Sequence, residues 1–433
     1  VSISLPSTGV GPALVQPGLL GIEPSFGFGD RLGFATPGHL LALQEAGGAI
    51  RGIFAQQSIR EMTRTNRTAT EVMAAASDAL SAAGFSDPWG ADADHLKTQD
   101  DVRQTMAAGF VFFTLDPSGD VDQQADNYAP AELATRFEAC KPFTPWLDAY
   151  RGKTVRFASG EIVFDEPTLA RAAVKYGKAI QTTIALGRFV QEEAARLSKP
   201  CELELSVDET EQPTTPAEHY LIADQLRAAG VRLVSLAPRF EGDFEKGVDY
   251  KGDIKSLERS LRFHAEIAAE MGPYKLSLHS GSDKISMYRL LSRATEGRFH
   301  VKTAGTSYLE ALRVVARCDD ELFRRIIDFS RGCYDRDKAT YHVSATLADA
   351  PPQAEVADPV ELERQYLERW EDVPAGAGFT APGRQILHCT FGSVMTDPEL
   401  GAAVKDVLLG NHSSYSEVLR DHFVRHLDPL REG

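Results

Sequence analysis

From about residue 200 the chain repeats one cadence, a short apolar strand followed by a capped helix, and that cadence admits few folds. The run CELELSV (201–207) leads into Thr215-Pro216-Ala217-Glu218, which supplies an N-cap, a proline at the first helical position and the glutamate of a capping box. The helix should end at Gly230, where glycine suits the left-handed position past a helix end, and VRLVSLAPRF (231–240) resumes the strand. Asp253 caps the next helix, IKSLERSLRFHAEIAAEM, which stops at Gly272-Pro273 before YKLSLH (274–279). RFHVKT (298–303) repeats the unit, and Ser307-Tyr308-Leu309-Glu310 reads as another capping box opening a helix through Val315.

Strands separated by helices of this length pair in parallel through right-handed crossovers, so the class is α/β. The N-terminal half offers SFGFGD (25–30), GADADH (90–95) and FVFFTLD (110–116), and QILHCTF (385–391) supplies a late strand. The total is eight, the number that closes a TIM-like (β/α)8 barrel. A length of 433 residues could hold about three average domains. With no internal repeat, low-complexity tract or clear linker, one elaborated barrel over 1–433 is the better reading. Its elaborations are an N-terminal extension of about 1–24, a stretch of about 120–200 containing a long helix over Asp165–Leu197, and a loop-rich stretch of about 345–385.

Charge and motif content exclude several functions. A net charge of −16 argues against nucleic-acid binding, which needs clustered Lys and Arg to displace counterions, while an anionic small molecule needs only a local positive site. The five cysteines form no CxxC pair and read as free thiols of a reducing compartment. No run of eighteen uncharged apolar residues is present, and the first thirty residues lack a basic, then apolar, leader pattern. A cytoplasmic chain with no membrane partner is expected, and an oligomer is compatible with the sequence. GFGDRLG has its third glycine at the wrong distance for a dinucleotide fingerprint, and Ser280 and Ser282 lack a GxSxG frame.

Polar residues that end several barrel strands converge on one face, however far apart in sequence. With Leu276 and Leu278 outward, His279 points inward beside Ser277 and Lys275. The same parity turns inward His388 of ILHCTF, His300 and Lys302 of FHVKT, and Asp116 of FVFFTLD, and places Arg239 at a strand end. Asp208, Glu209, Asp92, Asp94, His95 and Lys97 end two further strands. Singly, each has a structural use as a cap, a buried imidazole or a solvated charge. Together they form a mixed-charge cluster that is costly unless it binds something. Imidazole with carboxylate is a nitrogen–oxygen ligand set suited to a divalent ion such as Zn, Mn, Fe, Co or Ni.

Nine stretches in order, GFGDRLGFATPGH, FAQQSIREM, GADADHLKT, SVDETEQPTTPAEHY, SLAPRFEGDFEKGVDY, SLHSGSDK, HVKTAGTSYLEALRV, TYHVSA and LHCTFGSV, resemble the tagaturonate/fructuronate epimerase family over about residues 25–425. The resemblance implies a TIM-like barrel, a divalent metal, and interconversion of D-tagaturonate and D-fructuronate, small anionic keto sugars of opposite configuration at C4. C4 is not adjacent to the C2 ketone, so proton removal there would leave an unstabilised carbanion. A retro-aldol cleavage of C3–C4, with an enediolate held by the metal, is the expected route. On this basis Glu209, His279 and His388 are the expected metal ligands, with Asp208, which parity prefers, as the alternative to Glu209. Asp94 and Asp116 are the expected acid and base, with Lys302 also catalytic. Arg239, Lys302 or Lys97 would anchor the carboxylate, and His95, Ser280, Lys284 and His342 would complete the substrate contacts. The alternatives are a metal-dependent aldolase or ketose isomerase on a related keto sugar acid, or a non-catalytic hexuronate-binding protein.

Overall fold

The computed structural model describes residues 15–433; the earlier part of the expected N-terminal extension lies outside the described residues. The strands are β1 (Ser25–Gly29), β2 (Arg51–Ser58), β3 (Gly90–Leu96), β4 (Phe112–Leu115), the hairpin β5 (Thr154–Phe157) and β6 (Gly160–Val163), β7 (Glu202–Val207), β8 (Ser235–Pro238), β9 (Lys275–Leu278) and β10 (Phe299–Thr303). All but the hairpin close into an eight-stranded parallel barrel in the order β1-β10-β9-β8-β7-β4-β3-β2, wrapped by helices. This is the expected TIM-like fold.

One of the eight strands is not the expected one. QILHCTF lies in the helix Pro382–Cys389, which a second helix, Phe391–Thr396, follows. Every residue from Gly383 to Cys389 is buried, the polar Arg384, Gln385 and His388 included, and an eight-residue helix is too short for its period to be told from a strand. The missing strand is RGIFAQQS, β2, whose Gln56, Gln57 and Ser58 are buried although polar.

Several caps form as the residues dictate. Thr215 and Glu218 make their capping box, Asp253 caps Ile254–Met271, Asp165 caps the 32-residue helix Glu166–Leu197, and Gly230 has φ +77°. The Ser307–Glu310 box does not form. That helix starts at Thr306 and runs to Cys318, while Ser307 Oγ meets His39 Nε2 at 2.8 Å and Glu310 pairs with Arg313 at 2.6 Å. Buried tertiary partners outcompete the local cap.

The barrel interior is polar and layered. Near its lower end Ser25 Oγ accepts from Lys275 Nζ at 2.9 Å and lies 3.0 Å from His300 Nδ1. Below them the carboxylate of Glu202 accepts from the backbone N–H groups of Leu20 and Gly21, which ties the incoming chain across the barrel mouth. Above them sit Asp92, Thr114, Glu204 and Lys302. All five cysteines are free, and no helix among the described residues is long and apolar enough to cross a membrane.

Outside the barrel, His219 Nδ1 lies 2.8 Å from His264 Nδ1, and its Nε2 lies 2.7 Å from the Tyr274 hydroxyl. Burial pushes His264 down from 6.5 to about 4. Between these values the unfolded chain binds the proton and the folded chain does not, so this contribution is full above pH 6.5 and is lost as pH falls toward 4. About 3 kcal/mol is at stake. Urea midpoints should fall steadily from pH 7 to pH 4.5, and less steeply in His264→Gln.

Candidate active site

The strand ends place two histidines on one another at the top of the barrel. Period-2 geometry would send Asp94 and its neighbour His95 to opposite faces. The ladder between β3 and β4 slips between Ala93 and Leu96, and His95 takes φ +54°, a left-handed conformation that non-glycine residues adopt at a cost of about 1–3 kcal/mol. Both side chains thereby face the same centre. His95 Nδ1 is held by Asp116 Oδ2 at 3.0 Å, which leaves Nε2 3.7 Å from Asp94 Oδ1. On the opposite wall His279 Nε2 is held by Glu204 Oε1 at 2.7 Å, and its Nδ1 lies 3.1 Å from Asp208 Oδ1 without a hydrogen-bonding orientation. The two rings lie 5.3 Å apart, edge to face.

Ligand-type atoms of Asp94, His95 and His279 all fall within 4.8 Å of one another, as do those of His95, Asp116 and Glu209. Beneath them Lys302 Nζ reaches Asp92 at 2.7 Å, Asp94 at 2.8 Å and Glu204 at 2.7 Å, and donates to Thr114 Oγ1 at 2.6 Å. Burial opposes charge at His95, but Asp94, Asp116 and Glu209 outweigh it and raise its pKa to about 10. Burial likewise opposes charge at His279, and Asp208 with Glu204 raises it to about 9. Burial alone would raise Asp94, yet His95, Lys302 and His279 hold it at about 2, while burial lifts Asp92 to about 7. Asp92, Asp94 and Glu204 surround the Lys302 ammonium while Asp116 and Asp208 lie against the two imidazoles, so the centre gathers five carboxylates around three basic groups.

Two cavities meet at this centre. A narrow chamber of about 40 Å³ is lined by Arg31, Gln56, Asp94, His279, Lys302 and His388 among others. An open cavity of about 700 Å³ is lined by Asp208, Glu209, Arg239, Phe244, His279 and His342 among others. Arg60, Lys246, Ser280 and Tyr341 border both.

Among the expected site residues, His279, Asp94, His95, Asp116 and Lys302 converge as described. Asp208, not Glu209, faces His279, as parity requires; Glu209 is exposed in the open cavity, where Arg60 Nη2 pairs with it at 3.0 Å. His388 reaches the chamber from a helix instead of a strand, its ring filling the space beside Gly305, and it belongs to neither set of clustered ligand atoms. Lys284 is withdrawn from both cavities: its buried ammonium donates to the carbonyls of Glu245, Val248 and Ser282. Lys97 is half exposed and borders neither cavity, its Nζ lying 3.4 Å from Asp116 Oδ2. Arg239, Ser280 and His342 all line the open cavity. Lys246, Arg60, Gln56 and Tyr341 escaped the strand-end argument because they lie on loops, on the unrecognised β2 or, for Arg60, on the helix Ile59–Thr65 that follows it. Gln56 and Lys246 nevertheless fall within the stretches FAQQSIREM and FEKGVDY that carried the family resemblance.

The closed parallel barrel, with a histidine–carboxylate centre at its strand ends, defines the class as a (β/α)8-barrel enzyme. The UxaE family model, described as tagaturonate epimerase, matches residues 13–430. A tagaturonate/fructuronate epimerase of Thermotoga maritima is 40% identical over 419 residues, 97% of this chain and 83% of its own length. Native and glycerol-complexed crystal structures of fructuronate-tagaturonate epimerase from Cohnella laeviribosi are 36% identical, each with TM-score 0.87, covering 96% of this chain and 83% of theirs. The chain belongs to the tagaturonate epimerase family and is an isomerase.

Proposed function

We propose that this enzyme interconverts D-tagaturonate and D-fructuronate at C4 by retro-aldol cleavage and aldol re-formation, with a divalent ion held by His95, His279 and Asp208. The observation that carries the reading is the pair of facing imidazoles, each fixed from behind by its own carboxylate, in a chain 40% identical to an enzyme named for this reaction. A carboxylate behind an imidazole fixes the tautomer and leaves the other nitrogen as a donor. Asp116 does this for His95 and Glu204 for His279, and the unpartnered Nδ1 of His279 is aimed at the centre. Asp208 supplies the oxygen donor because it carries no ammonium or guanidinium partner, whereas Lys302 holds Asp94. When bound, such an ion supplies Lewis-acid stabilisation, worth several kcal/mol, for charge developing across C2 and C3.

The chain's own residues carry the protons. Asp94, in the narrow chamber, and Glu209, in the open cavity, reach substrate from different sides. One accepts the C4 hydroxyl proton as the C3–C4 electron pair moves into the C2–C3 enediolate. The aldehyde turns its other face, the bond re-forms, and the proton taken by the first carboxylate passes through solvent in the open cavity to the second, which returns it to the C4 oxygen. No net oxidation occurs. Positioned proton transfer of this kind contributes about 10²–10⁴-fold. Asp116, committed to His95 and to the N–H of Ser118, acts as an orienting group instead. Lys302 holds Asp94 in place from below.

The test is NMR of D-tagaturonate incubated without nicotinamide, with metal-loaded and chelated protein in parallel. D-fructuronate should form only in the metal-loaded sample; its formation in both would remove the metal, and its formation in neither would remove the reaction. The orienting role of Asp116 is checked separately. Asp116→Asn should weaken metal affinity by about 10–100-fold in a direct titration while leaving the fold intact.

A further inference from the structure

The two cavities that meet at His279 differ in both size and chemistry. The narrow chamber, about 40 Å³, has room for only a few water-sized groups. Its buried walls present polar atoms with no partner among the described residues: both amide atoms of Gln56, both ring nitrogens of His388, and Nη1 of Arg31. Burial holds His388 neutral, so its ring offers one donor and one acceptor. Buried groups of this kind are normally satisfied, which marks the chamber as a place where a ligand's hydroxyl groups complete the hydrogen bonding.

The open cavity, about 700 Å³, is cationic on one side. Arg239 donates to the Phe240 carbonyl, and its nearest ion-pairing carboxylate is Asp243 at 3.8 Å, among the described residues. Lys246 bonds the Ser280 hydroxyl and pairs with no carboxylate among the described residues. Arg239, which lines only the open cavity, has capacity left for an anion there, while Lys246 stands where the two cavities join.

Retro-aldol epimerisation makes unequal demands on the halves of its substrate. The C1–C3 half must keep its place while it is an enediolate. The C4–C6 half, which carries the carboxylate, must turn over without escaping. This argument rests on the retro-aldol reading above. We propose that the narrow chamber grips the C1–C3 end through Gln56 and His388, while the carboxylate end turns in the wider cavity tethered by Arg239. The specificity for an acidic sugar is then set by Arg239, and the fixed pivot by Gln56.

Each half has a three-carbon probe: dihydroxyacetone for C1–C3 and D-glycerate for C4–C6. Their dissociation constants are measured by direct titration of metal-loaded wild-type, Gln56→Met and Arg239→Met proteins. Arg239→Met should weaken D-glycerate at least tenfold and dihydroxyacetone less than twofold; Gln56→Met should do the reverse. Arg239→Lys should recover part of the D-glycerate affinity, which a merely unfolded variant could not do. A reversed pattern, equal losses of both probes, or no saturable binding of either to wild type overturns the assignment. Binding that follows the expected pattern in a protein unable to epimerise tagaturonate would retain the two subsites and remove the proposed reaction instead.

Discussion

His279→Ala should lose bound metal and epimerase activity together, with activity falling by about 10³-fold or more. Its Nδ1 is the buried ring nitrogen without a partner that faces Asp208, and its Nε2 is committed to Glu204. Truncation therefore removes a donor and leaves Glu204 and Asp208 without the imidazole between them. His388→Ala is the matched control. His388 lines the same chamber, but among the described residues no carboxylate holds either of its ring nitrogens as one holds each of His95 and His279, so its loss should reduce turnover while metal content stays near that of wild type. Metal analysis and NMR turnover on the two variants decide between a ligand at position 279 alone and the ligand pair expected from strand parity. Loss of metal in His388→Ala would reinstate the latter.

The contrast between those histidines shows what was legible before the fold. Period-2 alternation in YKLSLH and FVFFTLD correctly turned His279 and Asp116 inward, because β9 and β4 are regular and their outward neighbours are apolar. The same rule failed at LHCTF because an eight-residue helix spans barely two turns, and so short a run reads equally well as a strand. His95 is legible as a strand-end residue and not by alternation, since a slipped ladder and a left-handed residue put it on the same face as Asp94. Neither device leaves a compositional trace. At Asp208 the rule held for direction, since β7 keeps its alternation through Val207 and Asp208 faces His279, while Glu209 lies on the exposed side within reach of His95 and Asp116. Lys246 lay beyond the method altogether: it reaches the site from a loop, where no periodicity applies.

Lys302→Met should be destabilising as well as inactive. The ammonium is buried and touches Asp92, Asp94 and Glu204, each within 2.8 Å. Breaking a buried ion pair by removing one partner costs about 3–5 kcal/mol, because the remaining charge is stranded. Here Asp92 would lose its cation outright, while Glu204 and Asp94 would keep only His279 and His95. Binding protons relieves the remaining repulsion, so the folded pKa values of these carboxylates would rise, that of Asp92 above its unfolded one. The variant's stability would then be fullest below pH 4 and lost as pH rises through the new folded values. Wild type carries the opposite sign at Asp94, whose pKa the surrounding cations hold at about 2, so that contribution is present at neutral pH and fades in acid. Denaturant midpoints at pH 5 and pH 8 read this directly: Lys302→Met should lie closer to wild type at the lower pH. A deficit independent of pH would mean that Lys302 contributes through packing against Phe112, whose ring lies 5.6 Å from its ammonium, and not through the carboxylates it neutralises.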